Sequence, residues 1–302
     1  MTVIGLPRGL YYYQYNALWE NFFESIGLSV VVSGETNKDI LDCGVRHCSN
    51  ETCLPVKAFH GHVYSLLDKV DYIFIPRHIS SAKNEFTCPK FCALPDMAKL
   101  NLKGRPKIIE ASINIDKSLD DTYESLKELS KSLNIRYEVV KYAFTKAFNA
   151  FNEDAAVSKS NDAFVKDNSK PSISVLGHPY MIYDSYLSMK LLQKLTDSGV
   201  TVYTPLNLSH ETRRKNAYPY QGKVFWEVGF DNLGSAFTFA GNVDGIIYLT
   251  PFACGVDSFV VEFIERKLKE QQNVPFLKLT IDEHTGEAGF DTRVEAFLDM
   301  IG

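Results

Sequence analysis

Six cysteines are the residues of this 302-residue chain best suited to metal or redox chemistry. They form three groups along the sequence: Cys43, Cys48 and Cys53; Cys88 and Cys92; and Cys254. The spacing contains neither a C-x2-C pair nor a C-x2-C-x2-C run, so it matches no common local zinc or ferredoxin pattern. Metal binding, catalysis and plain burial must therefore be distinguished by where each thiol falls in the fold.

Three of the cysteines lie where predicted elements begin or end. Cys254 follows a predicted strand and precedes a predicted helix, where unpaired backbone N–H groups favour a thiolate. Cys88 lies in the loop after the third predicted strand, and Cys53 comes just before Pro55, which suits the first turn of a helix. If two lobes face each other across a cleft, the three thiols converge as a cage for a metal cluster.

The other three cysteines fit this cage less well. Cys43, Cys48 and Cys53 would point ~140° apart in turn on a continuous helix, so they cannot all grip one ion, and Cys43 and Cys48 are expected to be structural. Cys92 lies four residues after Cys88 and shares its face if the segment is helical. Cys92 is therefore the candidate for an additional ligand.

The elements that must position these residues alternate regularly. Eight short apolar runs are predicted as strands, at residues 2–6, 28–32, 72–75, 107–109, 173–176, 200–203, 245–249 and 276–279. Helices are predicted between them, at residues 10–26, 37–45 with Thr36 as cap, 186–198, 223–240, 259–271 and 292–301. Strands that alternate with helices predict an α/β fold of two Rossmann- or flavodoxin-like lobes with parallel sheets.

The domain boundaries follow changes in this pattern. Residues 1–115 are predicted to form an N-terminal α/β lobe with Cys53 and Cys88, and residues 171–302 a C-terminal lobe with Cys254. Between them, residues 116–170 read as a helical connector that ends in a polar tract from Ser158 to Lys170.

Composition limits the classes of partner. Lysine and arginine number 32 against 37 aspartate and glutamate, a formal charge of −5, so nucleic acid is not expected as a partner. No apolar run approaches the ~20 residues that span a bilayer, and no leader is recognisable, so we expect a cytoplasmic protein without membrane contact.

The chain resembles the 2-hydroxyacyl-CoA dehydratase superfamily, in particular its activase-related branch with the relatives of the double-cubane cluster reductases. Six segments carry the resemblance, in order: Ile4–Arg8; Cys53–Lys57 with His60–His62; Cys88–Lys90 with Leu94–Met97; Gly177–Tyr180; Thr250–Phe252 with Cys254 and Gly255; and Asp282–Glu287.

This resemblance implies an oxygen-sensitive iron–sulfur protein of anaerobic metabolism, with a 4Fe–4S cluster or an 8Fe–9S double-cubane cluster. The cysteines that match as cluster and metal ligands are Cys53, Cys88 and Cys254. It further implies a partner, an ATP-dependent activase with its own cluster, which supplies low-potential electrons for the reduction of a small molecule or an acyl-CoA. A homodimer or a pairing with a related subunit is expected, because an open cluster needs a second wall against water.

Three further side chains are candidates for catalysis. Lys57 lies one helical turn past Cys53, and Arg77 follows a strand end, so either could donate to a cluster sulfide or an anionic substrate. His60 and His62 face away from each other on a helix. One is expected in the core or at a cap and the other exposed, with His60 nearer the cluster.

Two other functions remain open at the level of sequence. The chain could be a non-enzymatic zinc- or cluster-binding protein that supports docking in a larger complex. It could also be an α/β small-molecule-binding module whose thiols are merely buried.

Overall fold

The structure is a computed structural model that describes residues 1–81, 83–102, 107–116, 118–159, 169–220, 222, 224–271 and 274–301. The chain folds into two compact units. The first unit comprises residues 1–50 and 56–156, and the second comprises Glu51–Pro55 and residues 157–302. Most of the polar tract expected from Ser158 to Lys170 lies outside the described residues.

The first unit is built on a parallel sheet of four strands. The described strands of this unit, two of which lie outside that sheet, are β1 (Val3–Leu6), β2 (Ser29–Val32), β3 (Tyr72–Phe74), β4 (Arg77–Ser80), β5 (Lys107–Ile109) and β6 (Ser112–Asn114). Its helices are α1 (Tyr12–Ser25), α2 (Lys38–Arg46), α3 (Leu54–Ser65), α4 (Pro89–Leu102), α5 (Asp120–Leu133) and α6 (Tyr137–Lys159). The sheet order is β2-β1-β3-β5, and β4 pairs with β6 in a separate two-stranded sheet.

The second unit repeats this topology. Its strands are β7 (Ser172–Gly177), β8 (Thr201–Tyr203), β9 (Gly245–Pro251) and β10 (Phe276–Ile281), in the order β8-β7-β9-β10. Its helices are α7 (Pro179–Ile182), α8 (Leu191–Asp197), α9 (His210–Ala217), α10 (Glu227–Phe239), α11 (Gly255–Gln271) and α12 (Glu287–Ile301). In each unit the first strand in the sequence lies inside the sheet, between the second and the third, as in flavodoxin-like folds. The predicted α/β class with two parallel-sheet lobes is thus confirmed.

The core of the first unit is aromatic. Trp19, Phe22 and Phe23 on α1 pack with Phe74 at the end of β3, and Phe144 on α6 joins the same cluster. Helices α5 and α6 therefore pack onto the first sheet through buried apolar side chains. In the described residues no helix is long and apolar enough to cross a membrane.

Two helix crossings are so close that only glycine fits. A Cβ on Gly44 of α2 would lie 1.8 Å from the Lys57 carbonyl oxygen, and one on Gly61 of α3 would lie 1.9 Å from the Ile40 oxygen. The second unit has the same device, because a Cβ on Gly234 of α10 would lie 1.9 Å from the Arg213 oxygen on α9.

Several local predictions need correction. The cap of α2 is Asn37 and not Thr36, because the Asn37 side chain accepts the Ile40 N–H at 3.0 Å. Helix α10 begins at Glu227 rather than 223, and α8 begins at Leu191 rather than 186. Helices α11 and α12 begin four and five residues earlier than expected.

Candidate functional site

The three cysteines singled out by position and by resemblance share one structural setting. Cys53 directly precedes α3, Cys88 directly precedes α4 and Cys254 directly precedes α11. The first N–H groups of a helix have no partner within it, and the helix dipole places positive potential there. Each of these thiols therefore lies where backbone N–H groups are available to its sulfur. Cys53 belongs to the second unit with Cys254, and Cys88 belongs to the first.

The other cysteines lie elsewhere. Cys43 is inside α2, with its Sγ 3.7 Å from His47 Nδ1, and Cys48 follows the end of that helix. Helix α2 ends at Arg46, so no continuous helix joins Cys43 to Cys53. Cys92 lies on α4, and its Sγ donates to the His78 carbonyl oxygen at 3.2 Å. The thiol expected as an extra ligand thus makes a hydrogen bond to the backbone.

Cys254 is held in a tight turn between β9 and α11. Ala253 before it has a φ of 62°, a left-handed conformation that is costly for a residue with a side chain. The Cys254 carbonyl accepts the Ser258 N–H at 3.0 Å, and its Sγ accepts the Asp257 N–H at 3.4 Å. The sulfur therefore caps α11 in the way that a serine or aspartate oxygen usually does.

Two buried ionisable side chains lie beside this sulfur. His178 follows β7, and its Nε2 lies 3.1 Å from Asp257 Oδ1. The ligand atoms of His178, Cys254 and Asp257 all lie within 4.8 Å of one another. Sequence reasoning used His178 only as part of a motif and missed Asp257. Position in the sequence could have indicated both residues. Asp257 is three residues after Cys254, and His178 follows the strand β7, which lies beside β9.

This group leaves polar atoms without hydrogen-bond partners. The buried His178 Nδ1 and Asp257 Oδ2 have none among the described residues, whereas Asp257 Oδ1 accepts the Tyr248 hydroxyl at 3.0 Å. The Asn232 side chain binds the end of β7 at Gly177. Its Nδ2 donates to the Gly177 carbonyl oxygen at 3.2 Å, and its Oδ1 accepts the Gly177 N–H at 3.1 Å. A metal ion or an ordered water bound beside the thiol would give these atoms the partners that they lack.

Charge organises the same group. Burial opposes a charged imidazole, but the Asp257 carboxylate and then the Cys254 sulfur outweigh it and raise the pKa of His178 to about 10. Burial, reinforced by the Asp257 carboxylate, also raises the pKa of Tyr248. This set of a sulfur, a carboxyl group and an imidazole can donate hydrogen bonds to sulfur, and it can hold a divalent metal ion once the imidazole has lost its proton.

The expectation that one of His60 and His62 is exposed is wrong, since both are buried. His62 contacts the Ser33 hydroxyl at 3.0 Å and the Thr36 hydroxyl at 2.9 Å, and is thus a satisfied core histidine. His60 Nδ1 lies 3.5 Å from the Asn101 amide, and its buried Nε2 has no hydrogen-bond partner among the described residues. Burial lowers the pKa of each to about 4, so both are neutral at pH 7.

The two candidate cations are both engaged. Lys57 is buried, and its Nζ donates to the Asn50 carbonyl at 3.1 Å. Arg77 donates to Asp96 at 2.9 Å and to Glu110 at 2.7 Å, and also to the Cys92 carbonyl. Arg77 thereby links helix α4 to Glu110, the residue after β5. These contacts engage the Arg77 guanidinium without any substrate.

Family models match the chain along most of its length. The CoA enzyme activase uncharacterised domain (DUF2229) matches residues 3–208, which is more than half of the chain. The D-component of 2-hydroxyglutaryl-CoA dehydratase matches residues 239–301, the part that contains Cys254 and Asp257. No match was found among curated proteins.

Solved structures give only a weak likeness. The periplasmic zinc-binding protein TroA from Treponema pallidum is 12% identical with a TM-score of 0.32, over 98% of both chains. The Mn²⁺ complex of FpvC from Pseudomonas aeruginosa is 13% identical with a TM-score of 0.30, over 99% of both chains. Scores this low support no conclusion about this chain. The family models do, and the chain belongs to the CoA enzyme activase uncharacterised domain family, within the 2-hydroxyacyl-CoA dehydratase superfamily.

Proposed function

We propose that this chain is an iron–sulfur protein that accepts low-potential electrons from an ATP-dependent activase and passes them to a small molecule or an acyl-CoA. The cluster ligands are the thiolates of Cys53, Cys88 and Cys254. One observation carries the proposal: these three cysteines, and none of the other three, directly precede helices. The membership of the chain in the dehydratase superfamily supports it.

The residues around Cys254 fit such a group. Its sulfur accepts a backbone N–H, and hydrogen bonds of this kind stabilise the thiolate and adjust the reduction potential of a cluster. His178 and Asp257 bring orphaned polar atoms close to the sulfur, so they can orient it and donate a proton nearby. A cluster with three cysteine ligands supplies one-electron reduction and an iron open to substrate.

The ligand set is tested by metal analysis of five alanine variants. The protein is purified without oxygen, and iron, acid-labile sulfide and the EPR spectrum after dithionite reduction are measured. Wild type is expected to hold about four irons per chain, or about eight for the double-cubane form. Cys53→Ala, Cys88→Ala and Cys254→Ala are expected to lose the cluster signal, and Cys43→Ala and Cys48→Ala to retain it.

A Cys254→Ala variant with full iron and an unchanged spectrum would refute the ligand assignment. Cys92→Ala shows whether this thiol leaves its hydrogen bond with the His78 carbonyl to act as a ligand. Electron transfer is tested separately, by adding a superfamily activase with ATP and recording the EPR signal of this chain. A reduced signal that does not depend on ATP would contradict the partner.

A second candidate function rests on a different observation. His178, Cys254 and Asp257 offer nitrogen, sulfur and oxygen donors within 4.8 Å, a set that suits a zinc ion with an open fourth position. In this case the chain is a zinc protein without electron transfer. Stoichiometric zinc without sulfide, lost in His178→Ala but kept in Cys88→Ala, would favour it over the cluster.

A further inference from the structure

A cavity in the first unit has no cysteine among the described residues that line it. It has a volume of about 40 Å³ and is lined at one side by Leu6, the last residue of β1, and by Phe74, the last residue of β3. These strands are neighbours, and the chain leaves them in opposite directions, to β2 on one side and to β5 on the other. Crevices at such a switch point, beyond the carboxyl ends of parallel strands, are where α/β sheets bind ligands.

Two side chains that line the cavity carry polar atoms with no hydrogen-bond partner. Trp19 is 3% exposed and its Nε1 is unpartnered; His78 is 1% exposed and both of its ring nitrogens are unpartnered among the described residues. A buried donor or acceptor left unsatisfied is costly, so native proteins keep few of them. These three unsatisfied atoms belong to two residues of one cavity, so a ligand bound there would supply the hydrogen-bond partners that they lack.

The backbone beside the cavity is also strained. Leu10, which lines it between β1 and α1, has a φ of 53°, where a branched side chain crowds the backbone. The imidazole of His78 is held between Tyr11 and Tyr15, with ring centroids 4.2 and 4.8 Å away. Its carbonyl is anchored by the Thr87 hydroxyl at 2.6 Å and by the Cys92 thiol. The fold thus holds this histidine in place at an energetic cost.

The lining defines the chemistry of the ligand. Its described residues include no lysine, arginine, aspartate or glutamate, so a charged molecule would be desolvated without compensation. Burial lowers the pKa of His78 to about 3, so its neutral ring offers one donor and one acceptor. The volume corresponds to about three water molecules.

We propose that this cavity binds a small uncharged organic molecule with an apolar body and one hydrogen-bond acceptor, of the size of a short-chain ketone or alcohol. The Trp19 indole N–H and the His78 imidazole are its polar partners, and the aromatic side chains Tyr11 and Phe91 enclose its apolar part. All described residues that line the site belong to the first unit, and none of them is a cysteine.

The test uses the two tryptophans of the chain, Trp19 in the first unit and Trp226 in the second. Their ¹⁵N-indole NMR signals are followed while acetone is added to the full-length protein, and then isobutene, which has the same shape without the oxygen. Trp226→Phe assigns the signals. We expect a saturable shift of the Trp19 signal with acetone, about tenfold weaker affinity for isobutene, and a signal from Trp226 that does not saturate.

Trp19→Phe keeps an aromatic ring but removes the N–H. It is expected to lower the affinity for acetone about tenfold, read from the thermal shift at saturating acetone, whereas Trp226→Phe leaves it unchanged. Equal affinities for acetone and isobutene, or shifts that grow linearly for both indoles, would overturn the proposal. So would a high-resolution structure from acetone-soaked crystals in which ordered water alone fills the cavity. The wild-type comparison of acetone and isobutene decides the matter even if Trp19→Phe fails to fold.

Discussion

The two units share one topology and treat their buried histidines in opposite ways. Both sheets place the first strand between the second and the third. In the first unit, His60, His62 and His78 are buried and neutral, and His62 is satisfied by two hydroxyl groups. In the second unit, His178 is equally buried but is kept charged by Asp257.

This difference separates what the topology provides from what the side chains add. The strand order places loops at the carboxyl ends of both sheets, whatever the sequence of those loops. The charge in the second unit comes from one aspartate beside one histidine. A buried ion pair costs desolvation that its attraction hardly repays, so it is weak evidence of a purely stabilising role. Its position next to Cys254 supports the proposal that this thiol is a metal ligand.

The largest expected effect comes from breaking the ion pair. In Asp257→Ala, the buried His178 loses its counter-charge, and the Tyr248 hydroxyl loses its acceptor. We expect the free energy of unfolding to fall by about 3–5 kcal/mol, measured by urea denaturation of the metal-free protein. Glu287→Ala, which removes an exposed partner of Lys194, is the control and should cost under about 1 kcal/mol. Equal losses of unfolding free energy in the two variants would contradict the proposed contrast between the units.

Lowering the pH should destabilise the fold through the buried neutral histidines of the first unit. The folded-state pKa of His62 is about 4, below its unfolded value of 6.5, so the unfolded chain takes up the proton first as pH falls. The stability from neutral burial is therefore present above pH 6.5 and is lost as pH falls towards 4, by up to about 3 kcal/mol for this residue. His62→Gln should flatten the pH dependence of the unfolding midpoint. His284→Gln, at an exposed histidine, should not change it, and an identical slope in His62→Gln would refute the assignment.

The smallest effect tests a feature that the units have in common. Gly44→Ala and Gly234→Ala each push a methyl group into a carbonyl oxygen less than 2 Å away, so the helices must separate. Each should lower the free energy of unfolding by about 1–3 kcal/mol in urea denaturation. Gly34→Ala, where a Cβ meets nothing within 4 Å, should be neutral or slightly stabilising. If only one of the two variants loses stability, the crossings are not equivalent.

Periodicity predicted much of this fold because the eight main strands are apolar runs bounded by turns. Each of them overlaps a strand of the structure, and β7 and β9 are buried along their whole length. The sheet of β4 and β6 was missed because each of these strands has only one apolar residue, Ile79 and Ile113. Helix α4 was obscured by Pro95 inside it, a residue that normally ends a helix.

The candidate site was only partly predictable for a related reason. A cysteine between a strand and a helix can be recognised locally, as Cys254 was. The pairing of His178 with Asp257 joins residues 79 positions apart through two adjacent strands, β7 and β9. No local pattern encodes that contact. The engagement of Arg77 with Glu110 was likewise invisible, because it depends on the end of β5.

The division of the chain also has a consequence for its synthesis. Glu51–Pro55, with Cys53, belongs to the second unit, whose remaining residues begin only at 157 and end at 302. Translation of the 247 residues after Pro55 takes roughly 12–50 s at 5–20 residues per second. During that time the first unit can fold, while Cys53 waits for the rest of its unit. A thiol that lacks its folded unit for this time depends on reducing surroundings to avoid oxidation.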